Sequence, residues 1–309
     1  MKNKITTRHT KGGFWYNRAT ANTMSAFFSI IIPTLNEEQY LPKLLSDLAK
    51  QQKKNFEVII VDGKSNDTTA EKVKNFSEKL PLSFFQVDKR NVSYQRNFGA
   101  KKGSGQYFVF LDADTRVPQD FTFALQHACA SRGFKLILPS IQWDDTSQKA
   151  KIMISIVKSI IRASQYYGRP LATGGNFAIE REVFETLKGF NEDVFISEDH
   201  DLMRRAYDAG VKAKIAKNVK VTISMRRGKM EGDMSLSYKY VIAFLMYTMT
   251  PTDKALKAKL FEYEMGGHHY DEDTIALLKK AKSKKRLQQL KHLLQLSSVM
   301  IALRYFSRM

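Results

Sequence analysis

The chain has 309 residues, of which 43% are hydrophobic and 26% charged, and its formal net charge is +19. This apolar content suffices for a large folded domain and excludes disorder as the main state. The single cysteine, Cys129, excludes an internal disulfide and indicates a reducing compartment, so we predict a cytoplasmic protein. No apolar run approaches the roughly 20 residues that span a bilayer.

Residues 1–24 are basic and polar and lack the apolar run of a secretory signal, which predicts a flexible basic arm. After them, short apolar runs alternate with amphipathic stretches of helical length. This alternation is typical of βα units around a largely parallel sheet. The expected strands are FFSIIIP (27–33), FEVIIVD (56–62), SFFQVD (83–88), YFVFLDAD (107–114) and FKLILPS (134–140). The fold class is therefore α/β, with one domain over residues 25–230 and a helical, basic extension over residues 231–309.

The first loop and helix read PTLNEEQYLPKLL. We expect Pro33 to end the strand, Thr34 or Asn36 to cap the helix, and Glu37 with Glu38 to fill its first turn, where negative charge suits the helix dipole. These structural roles account for the residues without any ligand.

Acidic residues follow three of the first four strands: Asp62, Asp88, and the pair Asp112 and Asp114. In open α/β sheets, ligands bind outside the carboxyl ends of the strands. Aspartate is also a common turn residue after a strand, so both roles are open for each acid. Turn chemistry explains Gly63 and Asp67 but does not require Asp62, which can accept a hydrogen bond from a base.

The pair Asp112-Ala113-Asp114 ends a strongly apolar run. The pattern D-x-D occurs three times in the chain, so only its position after a buried strand makes it informative. Closely spaced carboxylates suit Mg²⁺ or Mn²⁺, which prefer oxygen ligands and bridge to substrate phosphates. A solvated turn is the alternative.

Four segments carry a resemblance across roughly residues 27–230: PTLNEE, VDGKSND, NVSYQRNFGAKKGSGQYFVFLDADT and GGNFAIEREVFETLKGFNEDVFISEDHDLMRRAYDAG. In this order and spacing they resemble glycosyltransferase family 2, which are inverting enzymes of GT-A fold. The resemblance implies a nucleotide-sugar site made of Pro33, Thr34, Glu37, Asp62, Arg96, Asp112, Ala113 and Asp114. It also implies a divalent metal at Asp114 and Asp112, an acceptor side at Gly174, Gly175, Asn176 and Glu198, and Asp199 as general base.

The segment SEDHDLMRRAYDAG predicts a helix that Ser197 caps and Gly210 ends. Acids in a first helical turn are ordinary, so Glu198 and Asp201 need no further role. General base catalysis is efficient when the pKa lies near the working pH. We therefore expect apolar or anionic neighbours, such as the donor diphosphate, to raise the pKa of Asp199.

Two further segments have open interpretations. Arg226 and Arg227, in TISMRRGKMEGD, can close over a diphosphate because guanidinium suits bidentate phosphate contact, or they can form a solvated loop. His268 and His269 stand beside carboxylates, but adjacent histidines point apart, so a structural turn is favoured over a metal site.

The C-terminal third concentrates the positive charge, with 22 Lys or Arg against 9 Asp or Glu between Leu202 and Met309. The tract KKAKSKKR (279–286) precedes RLQQLKHLLQL, which predicts a basic amphipathic helix. Such a helix can lie on an anionic membrane surface or pack on the catalytic domain. A lipid-linked acceptor would fit the first arrangement.

The leading prediction is a metal-dependent, inverting hexosyltransferase. It would move a sugar from a UDP-, GDP- or dTDP-sugar to a cell-envelope glycan or lipid-linked acceptor, in the cytoplasm or peripherally on the inner face of the cell membrane. The alternative is a nucleic-acid-binding protein with a nucleotide-binding-like α/β domain, although KKAKSKKR lacks the aromatic residues that stack on bases. An inactive relative that serves as a scaffold is a third possibility.

Overall fold

The structure is a computed structural model and describes residues 6–7, 15–17, 26–166, 170–172, 174–194, 197–224 and 226. All of these except Arg226 belong to one compact unit. The described strands are β1 (Thr6–Thr7), β2 (Trp15–Asn17), β3 (Phe28–Thr34), β4 (Phe56–Asp62), β5 (Leu82–Gln86), β6 (Tyr107–Phe110), β7 (Leu136–Trp143), β8 (Phe177–Glu180) and β9 (Lys214–Ile223). The described helices are α1 (Leu41–Ala49), α2 (Thr69–Lys74), α3 (Val92–Lys102), α4 (Phe121–Arg132), α5 (Gln148–Tyr166), α6 (Arg181–Thr186) and α7 (Glu198–Asp208).

The strands form one sheet in the order β1-β2-β5-β4-β3-β6-β8-β7-β9. The four central strands β5, β4, β3 and β6 run parallel, while β8 is antiparallel to both of its neighbours. The five strands expected from the sequence correspond to β3 through β7, so the predicted α/β fold with a parallel central sheet is confirmed. Parallel strands place their carboxyl ends at one edge, which gathers the loops after β3, β4 and β6.

The core explains why the apolar runs are uninterrupted. Every residue of β3 is buried, and β4 is buried except at Glu57, because helices cover the central strands. Helix α3 packs on β3 and β4. Beside β6 and β8 five phenylalanines pack with ring centroids 5.1 to 6.5 Å apart: Phe108, Phe110, Phe177, Phe184 and Phe190.

The start of α1 differs from the prediction. Strand β3 continues through Pro33 to Thr34, and α1 begins only at Leu41, so Glu37 and Glu38 lie in the preceding loop and not in a first helical turn. The α1 N-terminus has no acidic residue in its first turn and no side-chain cap. The predicted start of α1 was wrong because Glu37 and Glu38 form hydrogen bonds with residues that follow β4.

The segment predicted as a flexible arm, residues 1–24, contains β1 and β2. Strand β2 pairs antiparallel with β5, and β1 pairs with β2, so these five residues extend the sheet. Within the ranges that the structure describes, no helix is both long enough and apolar enough to cross a bilayer. The expected extension over residues 231–309 lies outside the described residues.

Candidate active site

Thr34 and Asp62, the last residues of β3 and β4, lie side by side at the carboxyl edge of the sheet. The Asp62 carboxylate is fully buried and accepts hydrogen bonds from Thr34 Oγ1 at 2.9 Å and from Ser65 N–H and Oγ at 2.8 and 2.5 Å. Gln86 Nε2 donates a fourth, at 3.3 Å. Four donors satisfy a buried carboxylate, so Asp62 stabilises this edge, and its contact with a nucleotide base stays a prediction.

The loops after β3 and β4 are joined by hydrogen bonds. Asn36 N–H donates to Ser65 Oγ at 2.7 Å, and Asn66 N–H donates to Asn36 Oδ1 at 2.8 Å. Glu38 Oε2 accepts from the N–H of Thr68 at 2.9 Å. Asn36 has a left-handed backbone (φ 54°), which asparagine tolerates better than most residues. The two loops therefore form one connected rim, with Pro33 at its base in β3.

Arg96 on α3 is the central charged residue of the site. Its guanidinium donates from Nη2 to Asp112 Oδ1 at 2.8 Å and from Nη1 to Glu198 Oε1 at 2.7 Å, and only 3% of the side chain is exposed. The Phe190 ring lies 5.3 Å from the guanidinium carbon, within reach of a cation–π interaction. Arg96 thus connects the turn after β6 with the start of α7.

Gly175 lies directly against this ion pair. A Cβ at position 175 would stand 1.9 Å from Arg96 Nη2 and 2.4 Å from Asp112 Oδ1, so no side chain fits there. Position 175 must therefore be glycine, because its backbone lies so close to Arg96 and Asp112. Gly174, which precedes it, has a left-handed backbone (φ 76°) and no heavy atom near its virtual Cβ.

Asn176 at the start of β8 holds the Asp112-Ala113-Asp114 turn. Its Oδ1 accepts from the Asp112 N–H at 3.0 Å and from Thr115 Oγ1 at 2.8 Å, and the residue is fully buried. Asp112 and Asp114 are half-buried, whereas Ala113 is buried. Asn176 therefore positions the turn. Because its side chain is buried, it has no exposed surface with which to touch an acceptor directly.

Helix α7 carries the predicted general base. Asp199, in its first turn, is 6% exposed, and its Oδ1 accepts from the His200 N–H at 2.8 Å. Asp201, two residues further along the helix, pairs instead with Arg204 and Arg205. The predicted cap by Ser197 is wrong: this residue is left-handed (φ 65°) and makes no side-chain capping bond.

The charges around α7 shift the titration of its acids. Burial favours a higher pKa for Asp199, but the imidazole of His200 and the guanidinium of Arg96 outweigh burial and lower the pKa of Asp199 to about 2. Burial raises the pKa of Glu198 despite its bond to Arg96. The expectation that the pKa of Asp199 is raised is therefore wrong for the protein without a donor, because cations dominate its surroundings.

His200 is the partner that the sequence argument missed. Its Nδ1 lies 3.0 Å from Asp199 Oδ1. Burial alone would lower the pKa of His200, but the carboxylate of Asp199 raises it. Gln95 on α3 was also missed, and its Nε2 donates to Thr34 O at 2.9 Å and to Val61 O at 2.7 Å. The Gln95 contacts depend on tertiary placement and leave no sequence pattern. His200 directly follows Asp199 in the sequence, so that pair was visible as an acid next to a histidine.

The donor set fits a divalent ion that is shared with a substrate. Among the described residues no group of three His, Cys, Asp or Glu side chains could hold a metal. Two half-buried carboxylates at one turn, Asp112 and Asp114, nevertheless suit Mg²⁺ or Mn²⁺, which complete their coordination with water and phosphate oxygens. One oxygen of Asp112 accepts from Arg96, and both aspartates stay candidate ligands.

Some predicted residues are not brought to this site. Asp88 follows β5 in an exposed position and pairs with Lys64. Arg226 belongs to a second compact unit, and Arg227 lies outside the described residues, so their contact with a diphosphate stays a prediction. The segments around residues 268–269 and 279–286 also lie outside the described residues.

A parallel sheet whose carboxyl edge carries these acids, followed by the antiparallel β8 and the acidic start of α7, defines the class of GT-A glycosyltransferases. The family model of glycosyl transferase family 2 matches residues 29–188, more than half of the chain. The chain belongs to this family. The predicted family and fold are thereby confirmed, and family membership favours the glycosyltransferase over the nucleic-acid-binding protein.

Several curated glycosyltransferases are similar to parts of the chain. A dolichyl N-acetyl-α-D-glucosaminyl phosphate 3-β-D-2,3-diacetamido-2,3-dideoxy-β-D-glucuronosyltransferase of Methanococcus voltae is 38% identical over 31% of this chain and 31% of its own length. The poly(ribitol-phosphate) β-N-acetylglucosaminyltransferase TarS of Staphylococcus aureus is 36% identical over 30% of this chain and 17% of its own. Glycosyltransferase AglE of Haloferax volcanii is 27% identical over 62% and 65%. Each match spans less than two thirds of the relative.

Solved structures agree with the fold. A mannosyltransferase of Pyrobaculum calidifontis, in complex with GDP-Man and Mn²⁺, has a TM-score of 0.56 at 22% identity, covering 67% of this chain and 60% of that one. TarS residues 1–349 of S. aureus, in complex with UDP-GlcNAc, has a TM-score of 0.55 at 20% identity, covering 66% and 59%.

The buried ion group predicts a large effect at Arg96. Arg96→Met leaves the Asp112 and Glu198 carboxylates without their shared partner, so we expect the free energy of unfolding in urea to fall by about 3 kcal/mol. Arg132→Met, at an exposed arginine that ends α4, is the matched control and should change it little. In a double-mutant cycle with Glu198→Gln, additive losses would contradict the pairing.

The contact between His200 and Asp199 predicts a pH dependence of stability. A histidine whose folded pKa is raised stabilises the protein fully below the unfolded value of about 6.5, and this contribution disappears as the pH rises through the folded pKa. We expect His200→Gln to remove that decline from urea unfolding curves measured between about pH 6 and pH 9. His127→Gln, at an exposed histidine on α4, should retain it. Identical profiles for both variants would refute the assignment.

Proposed function

We propose that the protein transfers a sugar from a nucleoside-diphosphate sugar to an acceptor hydroxyl, with inversion and with the help of a divalent cation. The observation that carries the proposal is the ion pair of Arg96 with both Asp112 and Glu198, which brings the D-x-D turn beside the residue that precedes Asp199. A donor at the turn and an acceptor at α7 would then approach each other across a small distance.

The donor side consists of residues around the carboxyl edge of β3, β4 and β6. Asp112 and Asp114 are the half-buried groups that would face the diphosphate and its metal, while Asp62 shapes the rim from inside. Arg96 is too buried to contact a diphosphate over more than a small area. Its proposed role in donor binding is to hold Asp112 in position. Within the first compact unit, the proposed donor set is Pro33, Thr34, Glu37, Asp62, Arg96, Asp112, Ala113 and Asp114.

The acceptor side would be formed by the loop before β8 and the start of α7. Gly174 and Gly175 provide backbone without side chains, which allows a glycan to approach closely. Glu198 and Asn176 would define this side indirectly, since their side chains hold Arg96 and the D-x-D turn. Asp199 is the proposed general base, and it would take the proton of the attacking hydroxyl.

The low pKa of Asp199 has a chemical consequence. A carboxylate with a pKa of about 2 is ionised at every physiological pH but is a weak base. Proton transfer to it becomes favourable only once the hydroxyl has begun to bond to the anomeric carbon and has grown acidic. His200 keeps the carboxylate ionised and oriented until then. In the protein without a donor, Asp199 is therefore an ionised but weak base.

A divalent cation bound with the donor would stabilise the charge that develops on the departing diphosphate. The chain's own part is to hold Asp112 and Asp114 in a fixed turn through Asn176 and Arg96. Mn²⁺ is named with GDP-Man in the structure of the P. calidifontis mannosyltransferase, which supports the choice of metal. UDP-GlcNAc is named for TarS, which supports a UDP- or GDP-sugar donor.

The acceptor we propose is a phosphate-bearing or lipid-linked glycan of the cell envelope, and the protein would work in the cytoplasm, peripherally on the inner face of the membrane. The names of two relatives include a dolichyl N-acetyl-α-D-glucosaminyl phosphate and a poly(ribitol-phosphate). The net charge of +19 suits such anionic acceptors.

A thermal-shift panel tests donor and metal together. UDP-, GDP- and dTDP-sugars are added with and without Mn²⁺, and the correct donor should stabilise the fold by about 2.7 kcal/mol at roughly 100 times its Kd. Asp114→Asn should abolish the part of the shift that needs Mn²⁺, whereas Asp120→Asn, at an exposed aspartate before α4, should keep it. A shift that never depends on metal would remove the cation from the proposal.

Asp199→Asn tests the base. The amide retains the shape but cannot accept the proton, so turnover should fall roughly 10²- to 10⁴-fold while the donor-induced thermal shift stays near that of the wild type. Asp208→Asn, at the exposed end of the same helix, should retain turnover. Equal activity of the two variants would show that another group is the base.

A further inference from the structure

The two residues that follow Asp114 are fixed in place by backbone hydrogen bonds. Thr115 N–H donates to Asp112 O at 3.0 Å, and Thr115 is fully buried. Arg116 N–H donates to Thr222 O at 2.8 Å, and Arg116 O accepts from Thr222 N–H at 2.9 Å, which makes an antiparallel bridge to β9. Asp114, one of the two candidate metal ligands, therefore lies in a turn whose C-terminal end is attached to the sheet.

The Arg116 side chain is held by an aspartate on a different element, helix α1. Its Nε donates to Asp47 Oδ2 at 2.5 Å and its Nη2 donates to Asp47 Oδ1 at 2.7 Å, so the guanidinium fork engages both carboxylate oxygens. Asp47 Oδ2 also accepts from Val117 N–H at 3.2 Å. One carboxylate thus takes three hydrogen bonds from two consecutive residues of the segment that leaves the D-x-D turn.

A second residue of α1's C-terminal end continues this contact. Gln51 lies four residues after Asp47 and is 3% exposed. Its Nε2 donates to Pro118 O at 2.7 Å, and its Oε1 accepts from Thr122 N–H at 3.0 Å. The segment from Arg116 to Thr122 is therefore bonded to α1 at both of its ends.

The pair between Asp47 and Arg116 gives direction more than stability. The Arg116 side chain is 51% exposed, and an ion pair with such a partner contributes little to the free energy of unfolding. Asp47, in contrast, is only 10% exposed, so its position on α1 is fixed. Two parallel hydrogen bonds from a planar guanidinium to a fixed carboxylate allow one orientation, which the Arg116 backbone must then follow.

This pair completes the support of the D-x-D turn. Asp112, at the start of the turn, is held by Asn176 and by Arg96. Neither of these two contacts fixes the backbone that follows Asp114, and the contacts of Arg116 do so. A carboxylate that shares a cation with a substrate must keep its position to within about 0.5 Å, so the residues that support it matter as much as the ligand.

We propose that Asp47 and Arg116 are positioning residues for the D-x-D turn, and that their ion pair fixes the direction in which Asp114 presents its carboxylate to a divalent cation. The inference rests on the proposed function, because the cation does. Neither residue lies in the four segments that carry the family resemblance.

Manganese binding tests the proposal. Free Mn²⁺ is titrated by electron paramagnetic resonance against the full-length protein with UDP or GDP present. Asp47→Asn and Arg116→Gln should each raise the Kd for Mn²⁺ roughly tenfold, because the turn loses its fixed direction. The Kd for the nucleotide without metal should stay near that of the wild type. The double variant should lose little more than either single variant, since both remove the same contact.

Arg181→Gln is the matched control. Arg181 also donates from its guanidinium to a loop, to Gly103 O at 2.7 Å and Gly105 O at 2.8 Å, but these residues precede β6, at the end opposite to the D-x-D turn. The control should bind Mn²⁺ like the wild type. If the Kd for Mn²⁺ in all three single variants instead follows their loss of stability in urea, the Asp47–Arg116 pair has a general structural role and the proposal is wrong.

Hydrogen exchange tests the same contact without metal. In Asp47→Asn the amides of Thr115, Arg116 and Val117 should exchange roughly tenfold faster than in the wild type, whereas Arg181→Gln should leave them unchanged. Arg116→Gln, at a half-exposed position, provides the same test in a second background. Wild-type protection of the Thr115 amide in both variants would show that the turn is fixed without the pair, and would overturn the proposal.

The outcomes separate this inference from the proposed function. Equal Mn²⁺ affinity of the wild type, Asp47→Asn and Arg116→Gln would remove the positioning role and leave the metal-assisted transferase intact. A wild type that binds no Mn²⁺ with any nucleotide would remove the cation from the proposed function, and the inference would fail with it.

Discussion

The site depends on one buried guanidinium. Arg96 is nearly inaccessible to water, so its charge must be compensated within the protein, and it is compensated by Asp112 from the turn after β6 and Glu198 from the start of α7. These partners lie 16 and 102 residues away in the chain. The Arg96 guanidinium therefore fixes the distance between the proposed donor and acceptor sides. Position 175 must be glycine because a side chain there would collide with the guanidinium.

The sequence predicted the elements whose pattern is local. Strands β3 and β4 and helix α3 are recognisable from apolar runs and helical spacing, and the aspartates after β4 and β6 were assigned to the sheet edge from that pattern alone. The pair between Arg96 and Glu198 could not be predicted, since nothing in either segment specifies the other. The same reason explains the error at Glu37 and Glu38, because their bonds to Asp67, Thr68 and Thr69 join residues about 30 positions apart in the chain.

The error at Asp199 has a different cause. The sequence argument weighed burial and anionic neighbours, both of which raise the pKa of a carboxylate, and did not consider that His200 folds back onto the acid that precedes it. In the structure, an imidazole at 3.0 Å and the nearby guanidinium reverse the direction of the shift. The family resemblance identified Asp199 as the candidate base, but the direction of its pKa shift could be determined only from the structure.

The packing at Gly175 limits how this site can change over evolutionary time. Even a methyl group at position 175 would collide with the guanidinium, so Gly175 cannot be substituted as long as Arg96 is present. Its neighbour Gly174 has open space around it and a backbone that asparagine or aspartate can adopt. A side chain can therefore be introduced at position 174 without collision, whereas at position 175 it cannot, so sequence variation in this loop should concentrate at 174.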